Sequence, residues 1–243
     1  PIEGYNIADL GWGTASASAI TLSFWVRSSL TGTFGGALQN SGSTRSYPFS
    51  YTISVANTWE QKTITIAGDT TGTWLTTNGI GLNVFFSLGI GSTYSGTAGS
   101  WAGTNYSSAT GATSVVGTSG ATLYITGVQL EVGTTATDFE NLQYGQQLAL
   151  CQRYYQIVSS DSGGSIGFKY GSTTGFGWLN STNSFSEVMR ATPTAILSAT
   201  PSYTNCSGVT PFIKTDGIIT RVTPSSAGAY RAWEFSIFCS AEL

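Results

Sequence analysis

Hydrophobic and polar residues alternate with a period of two over much of the chain. Ile20, Leu22, Phe24 and Val26 alternate with Thr21, Ser23, Trp25 and Arg27. Tyr47, Phe49, Tyr51, Ile53 and Val55 alternate with Pro48, Ser50, Thr52 and Ser54, and Leu82, Val84, Phe86 and Leu88 follow the same rule. Such a period puts one face of a strand in a core and the other toward water or a neighbour. Ile64 and Ile66 mark a shorter strand. Thr122 to Leu130 is apolar at both parities, which predicts a more deeply buried strand. Turn chemistry separates these runs at Gly32, Gly35-Gly36, Asn40-Ser41-Gly42, Gly68-Asp69, Asn78-Gly79 and Gly117 to Gly120. Many short strands with no helix between them predict a sandwich or jelly roll over residues 1–140.

The period then changes. Tyr144, Leu148, Cys151 and Tyr155 recur at i, i+4, i+7 and i+11, one stripe of a helix over about 144–153, with Asn141 as its expected cap. A stripe of this kind packs into a core or across a threefold axis. Tyr154 and Tyr155 should start or brace the next strand. Beyond them the strand pattern resumes at Ile166 to Tyr170, Phe176 to Leu179, Phe185 to Met189, Ala195 to Ser198, Gly217 to Val222, and in one long run from Tyr230 to Ser240. Pro193, Pro201, Pro211 and Pro224 punctuate the spaces, since proline does not belong inside central strands. The expected fold is all-β: a jelly-roll β-sandwich over residues 1–140, a short helix, and a second antiparallel β domain, these last two within 141–243.

Charged residues make up 9% of the 243, well below the ~25% of an average soluble protein. Ser, Thr, Asn and backbone must therefore wet the surface, as on extracellular and virion proteins. The nine Lys and Arg are scattered and the net charge is −3, which argues against nucleic acid. No apolar run approaches the ~20 residues of a membrane span, so membrane insertion is not expected. The only Met is Met189, so Pro1 is not read as a natural start. Cys151, Cys206 and Cys239 are odd in number and read as free thiols on apolar patterns, with a Cys206–Cys239 bridge left open. Without His or CxxC, no metal or other cofactor is expected.

The same absence of His removes the usual general base, and neither GxSxG nor a phosphate-binding loop occurs. The acids are isolated, the nearest pair being Asp138 and Glu140 in the linker. No enzyme is expected. Binding has better candidates. From Thr70 to Leu130 there is no charge at all, and Gly89 to Ala112 is a low-complexity loop carrying Tyr94, Trp101 and Tyr106. Rings in such a loop either pin it to its own sheet or a neighbour, or stack on the apolar face of a sugar while nearby oxygens take its hydroxyls. Tyr170, Phe176 and Trp178 in the Gly-rich segment GFKYGSTTGFGW offer the same choice between contact surface and core.

The segments TLSFWVRSS, NTWEQKTITIAGDTTGTW and LYITGVQLEVG, in that order, resemble jelly-roll carbohydrate-binding modules, closest to those in tail fibres and other structural proteins of tailed bacteriophages. The likeness covers about Ile2 to Glu131. Two departures stand out: Thr126-Gly127 replaces an Asp common in relatives, and relatives usually carry strands before the position of Tyr5, which the first domain is expected to lack. ENLQYGQQLALCQRYYQ resembles a junction common in phage tail proteins, with Asp138 where relatives often carry Pro. MRATPTAILS and FSIFCSAEL resemble the C-terminal head of fibre proteins, which implies a native end at Leu243 and a distal, exposed module. The resemblance implies a virion location, a homotrimer, other virion subunits as partners, and attachment to host surface polysaccharide through Tyr94, Trp101, Tyr106, Tyr170 and Trp178. The alternative is a capsid-decoration or fibre-shaft protein with no ligand of its own.

Overall fold

The computed structural model describes residues 1–159, 168–169, 179–197, 202–204, 206–224, 230–233 and 236–242. The chain is mostly strand and divides into two compact units, Pro1–Asn141 and Leu142–Glu242.

The first unit is a sandwich of two antiparallel sheets. Its strands are β1 (Ile2–Glu3), β2 (Ile20–Ser28), β3 (Gly32–Asn40), β4 (Ser46–Ile53), β5 (Glu60–Ile66), β6 (Ile80–Phe86), β7 (Ser95–Gly96), β8 (Ser108–Ala109) and β9 (Leu123–Val132). One sheet has the order β1-β6-β3-β4, the other β5-β2-β9. The short β7 and β8 form a separate parallel pair. The alternation in β2 does what its period demands: Ile20, Leu22, Phe24 and Val26 are all buried. Across the sandwich they meet Phe34, Leu38, Phe49, Tyr51, Ile53 and Leu82 in one core. Phe24 packs edge-on against Tyr51 and Phe86 at 5.0 and 4.9 Å. Burying each such side chain contributes about 1.5–3 kcal/mol.

Gly32, Gly35 and Gly36 do not make turns. They lie within β3, an interior strand of the four-stranded sheet. Gly32 takes a φ of +119° that favours glycine, whereas Gly35 and Gly36 are needed for their small size. A Cβ on Gly36 would stand 2.2 Å from the Phe85 carbonyl oxygen and 2.4 Å from the Phe49 ring, and one on Gly35 would stand 2.6 Å from Ser108 Oγ. Gly36→Ala is therefore expected to cost about 2 kcal/mol by overpacking, read as a lower urea midpoint with an unchanged slope.

The strand around Thr122 to Leu130 is also not what its apolar run implies. β9 is an edge strand whose residues are half-buried or exposed. A break in its register with β2 falls between Ser23 and Trp25, opposite Gly127 at φ +57°. The extra residue switches the inward parity from Leu123 and Ile125 to Leu130, so apolar residues occupy both parities without burial on both faces.

The second unit contains α1 (Tyr144–Gln152), β10 (Tyr155–Ser159), β11 (Phe168–Lys169), β12 (Leu179–Ser184), β13 (Thr194–Leu197), β14 (Ser202–Thr204), β15 (Cys206–Ile213), β16 (Gly217–Pro224), β17 (Tyr230–Trp233) and β18 (Ser236–Ser240). They form antiparallel ladders β10-β18-β13, β11-β17-β14 and β12-β16-β15. Met189, Ile218, Ile237, Cys239 and Ala241 make a small core. The helix stands where its stripe places it, but Gln143 precedes it without a side-chain cap, so Asn141 is not the cap. None of its residues is buried, and Tyr144, Leu148 and Leu150 are exposed.

Three strand readings need correction. Phe185 to Met189 is not a strand. The buried Gln156 side chain holds it as an irregular turn, donating to the Glu187 carbonyl at 2.6 Å and accepting from the Ser186 N–H at 2.9 Å. The Tyr230 to Ser240 run supplies two strands to two different ladders. Pro211 lies inside β15, which is tolerated because β15 is the edge of its ladder. Cys239 is a free, buried thiol, so it forms no bridge with Cys206, and burial pushes it up to about 11, leaving it protonated and inert.

Candidate functional site

The segment from Gly89 to Ala112 is laid down on the outer face of the four-stranded sheet. Gln39, on the outward parity of β3, donates to Asn105 Oδ1 at 2.9 Å, the Tyr106 carbonyl at 2.6 Å and Ser107 Oγ at 3.1 Å. Ser46 and Ala102 exchange backbone hydrogen bonds, and the Gly99 N–H donates to the Pro48 carbonyl. This cover explains why nearly all of β3 is buried, outward positions included.

The rings of that segment have separate fates. Trp101 turns inward. It meets Trp12, Trp74 and Tyr47 edge-on at 5.3, 5.4 and 5.2 Å, and its indole N–H donates to the Ala67 carbonyl at 2.7 Å. Tyr106 is half-buried and its ring lies directly over Gly96. Tyr94 is open, 47% exposed, on a 3-10 turn. Near it a cleft of about 160 Å³ is lined by Ile90, Ser92, Ser95, Ser108, Thr110 and backbone. Tyr170 and Trp178 lie outside the described residues.

The Trp101 corner is built on a buried ion pair. Arg45 donates from Nε and Nη2 to the two oxygens of Asp69 at 2.7 and 2.6 Å, and its guanidinium stands 6.0 Å from the Trp101 ring. The Thr71 N–H and the Trp74 indole also donate to Asp69. Burial raises the Asp69 carboxyl, but these donors and the Arg45 charge outweigh it and hold the group below its usual range.

A second surface lies on the outer face of β5-β2-β9, and its register can be read row by row. Thr21 stands between Thr65 and Glu131, Ser23 between Thr63 and Gln129, and Trp25 between Gln61 and Thr126. Arg27 stands opposite Tyr124, and continuing the β2–β5 register by one pair puts Trp59 on its other side. The first two rows are roofed by the chain that follows β9. Thr21 and Thr65 donate to the carbonyls of Gly133 and Thr134, the Glu140 N–H donates to Gln129, and Thr137 donates to Glu131. The roof accounts for Thr21 and Ser23 being buried on an outward face. Beyond it the sheet is open. Trp25, Trp59 and Tyr124 are 41%, 42% and 50% exposed, with Phe139 at the margin. Paired strands hold Trp25 and Tyr124 in fixed relation, and Trp59 immediately precedes β5.

Sequence reading missed this surface, although its signal is present. Trp25 and Arg27 occupy the polar parity of β2, and Trp59 and Gln61 the parity opposite Ile64 and Ile66. A large ring on the water side of a period-two strand is the clue. Among the described residues no three His, Cys, Asp or Glu side chains gather as metal ligands. No helix of the described residues is long and apolar enough to cross a membrane. Comparison of the chain with protein-family models, with curated proteins and with solved structures finds no match in any of the three.

Proposed function

We propose that this chain is a non-catalytic recognition protein, a tail-fibre or receptor-binding module of a bacteriophage virion, that holds host surface glycan on the open end of the β5-β2-β9 sheet. The observation that carries the proposal is the set of three open rings, Trp25 on β2, Tyr124 on β9 and Trp59 immediately before β5, beside Gln61 and Thr126. Rings take the apolar face of a sugar and amides and hydroxyls take its oxygens. The virion assignment rests on the phage-like segments of the sequence. A shallow face binds weakly, and a trimer with several fibres per particle raises avidity by ~10²–10⁴. Recognition without turnover fits a chain that has no His and whose best-placed carboxylates, Asp69 and Glu131, are engaged by Arg45 and Thr137.

The test is a glycan array and an adsorption-competition assay with the purified chain. The wild type should bind glycan and block phage attachment. Trp25→Ala should weaken binding about thirtyfold, the effect of losing a 2 kcal/mol anchor, with little change in melting temperature. Tyr94→Ala should bind almost as well as wild type. The reverse ranking would move the site to the cleft beside Tyr94.

A second reading, a structural subunit with no ligand, is favoured by α1. A nine-residue helix with no buried residue gains little from tertiary packing among the described residues. Apolar side chains at Tyr144, Leu148, Leu150, Tyr155 and Ile157 are exposed. A chain that binds particles yet leaves adsorption unchanged would support that role.

A further inference from the structure

We infer that the glycan held on this face is acidic, and that Arg27 receives a sugar carboxylate. The inference rests on the proposal that the face binds glycan, and it adds the ligand's charge.

Arg27 pairs with Tyr124 of β9 and lies two residues along β2 from Trp25; Trp59 immediately precedes β5, whose first residue Glu60 pairs with Val26. Its guanidinium carbon lies 5.7 Å from the centroid of the Tyr124 ring. Its Nε is buried and has no hydrogen-bond partner. Among the described residues Arg27 makes no hydrogen bond and no ion pair, whereas Arg45 holds Asp69 and Arg190 donates to the carbonyls of Ala241 and Glu242. The nearby acids are committed elsewhere. Glu60 pairs in register with Val26, so it stands at the opposite parity, and it accepts from Lys62, Ser54 and Val55. Glu131 lies three rows away under the roof and accepts from Thr137.

A buried Nε–H left without an acceptor is costly. Its planar fork matches a carboxylate with two parallel N–H bonds, and flanking rings that exclude water strengthen that contact. The rings around it select for a ligand with a flat apolar face, the guanidinium for one with an anion beside that face. A uronic acid or other carboxylated sugar has both. A neutral sugar offers Arg27 hydroxyl acceptors but no opposite charge.

The experiment is calorimetric titration of the full chain with oligomers of galacturonate, mannuronate and hyaluronan, each beside its methyl ester, which keeps the sugar and removes the charge. The acids should bind at least about tenfold tighter than their esters, the effect of one lost charge-assisted hydrogen bond, with an affinity that falls as salt rises. Arg27→Gln should abolish the acid-over-ester ratio, each ester serving as the reference for its own acid, and Arg27→Lys should keep part of the ratio. Equal binding of acid and ester by the wild type would overturn the inference and leave glycan recognition standing. So would binding only to neutral glycans on the array, or only to a glycerol-phosphate polymer. If no glycan binds and Trp25→Ala behaves as wild type in every assay, both fail together.

Discussion

Replacing Asp69 with alanine is expected to lower the stability of the first unit by about 3–5 kcal/mol, the cost of leaving one half of a buried ion pair without the other. Asp69 is buried and receives five donors: both arms of the Arg45 fork, the Thr71 N–H and hydroxyl, and the Trp74 indole. Removing the carboxylate strands Arg45 beside Trp101 and leaves the Trp74 N–H with only the Thr71 carbonyl. Acid should act on the same group in the same direction. The folded carboxyl is held below its ordinary value, so the stability it contributes is complete above the unfolded value of about 3.9. That stability is lost as pH falls through the depressed folded value. Urea denaturation followed by tryptophan emission is a suitable readout, because Trp12, Trp25, Trp59, Trp74 and Trp101 all lie in the first unit. Asp69→Ala should flatten the acid limb as well as lower the midpoint.

Trp101→Ala is expected to cost about 3 kcal/mol while leaving glycan affinity close to wild type below the melting transition. Three rings pack edge-on against Trp101, and its N–H closes on the Ala67 carbonyl. The side chain thus fastens the segment from Gly89 to Ala112 to the body of the sandwich. Loss of glycan binding without loss of stability would instead place Trp101 at the ligand.

The strands most legible in the sequence are those with one dry face and one wet face. β2, β4, β5 and β6 all show the alternation that their burial requires. β3 was hidden because a strand covered on both faces needs small residues where the cover comes close, and Gly35-Gly36 looks like a turn until Ser108 and Phe49 are seen against it. β9 was misjudged because a single bulge at Gly127 reverses parity, which no periodic reading carries through. The helix was legible as a helix, but its stripe suggested burial that Tyr144 and Leu148 do not have. The candidate site shows the same split. Tyr94, Trp101 and Tyr106 stand out by composition, yet local composition does not say that a carbonyl 34 residues away waits for the Trp101 indole. Trp25 lies inside β2 and Trp59 immediately before β5, and a periodic reading counts such rings as strand residues although the parity of Trp25 points it away from the core.

Selective isotope labelling of the tryptophan indoles tests the platform most directly. Seven N–H resonances are available in the intact chain, and titration with a bound oligosaccharide should move those of Trp25 and Trp59 while those of Trp12, Trp74 and Trp101 stay in place. Movement confined to the three inward tryptophans, or no movement on adding a glycan that binds, would contradict the assignment of this sheet face.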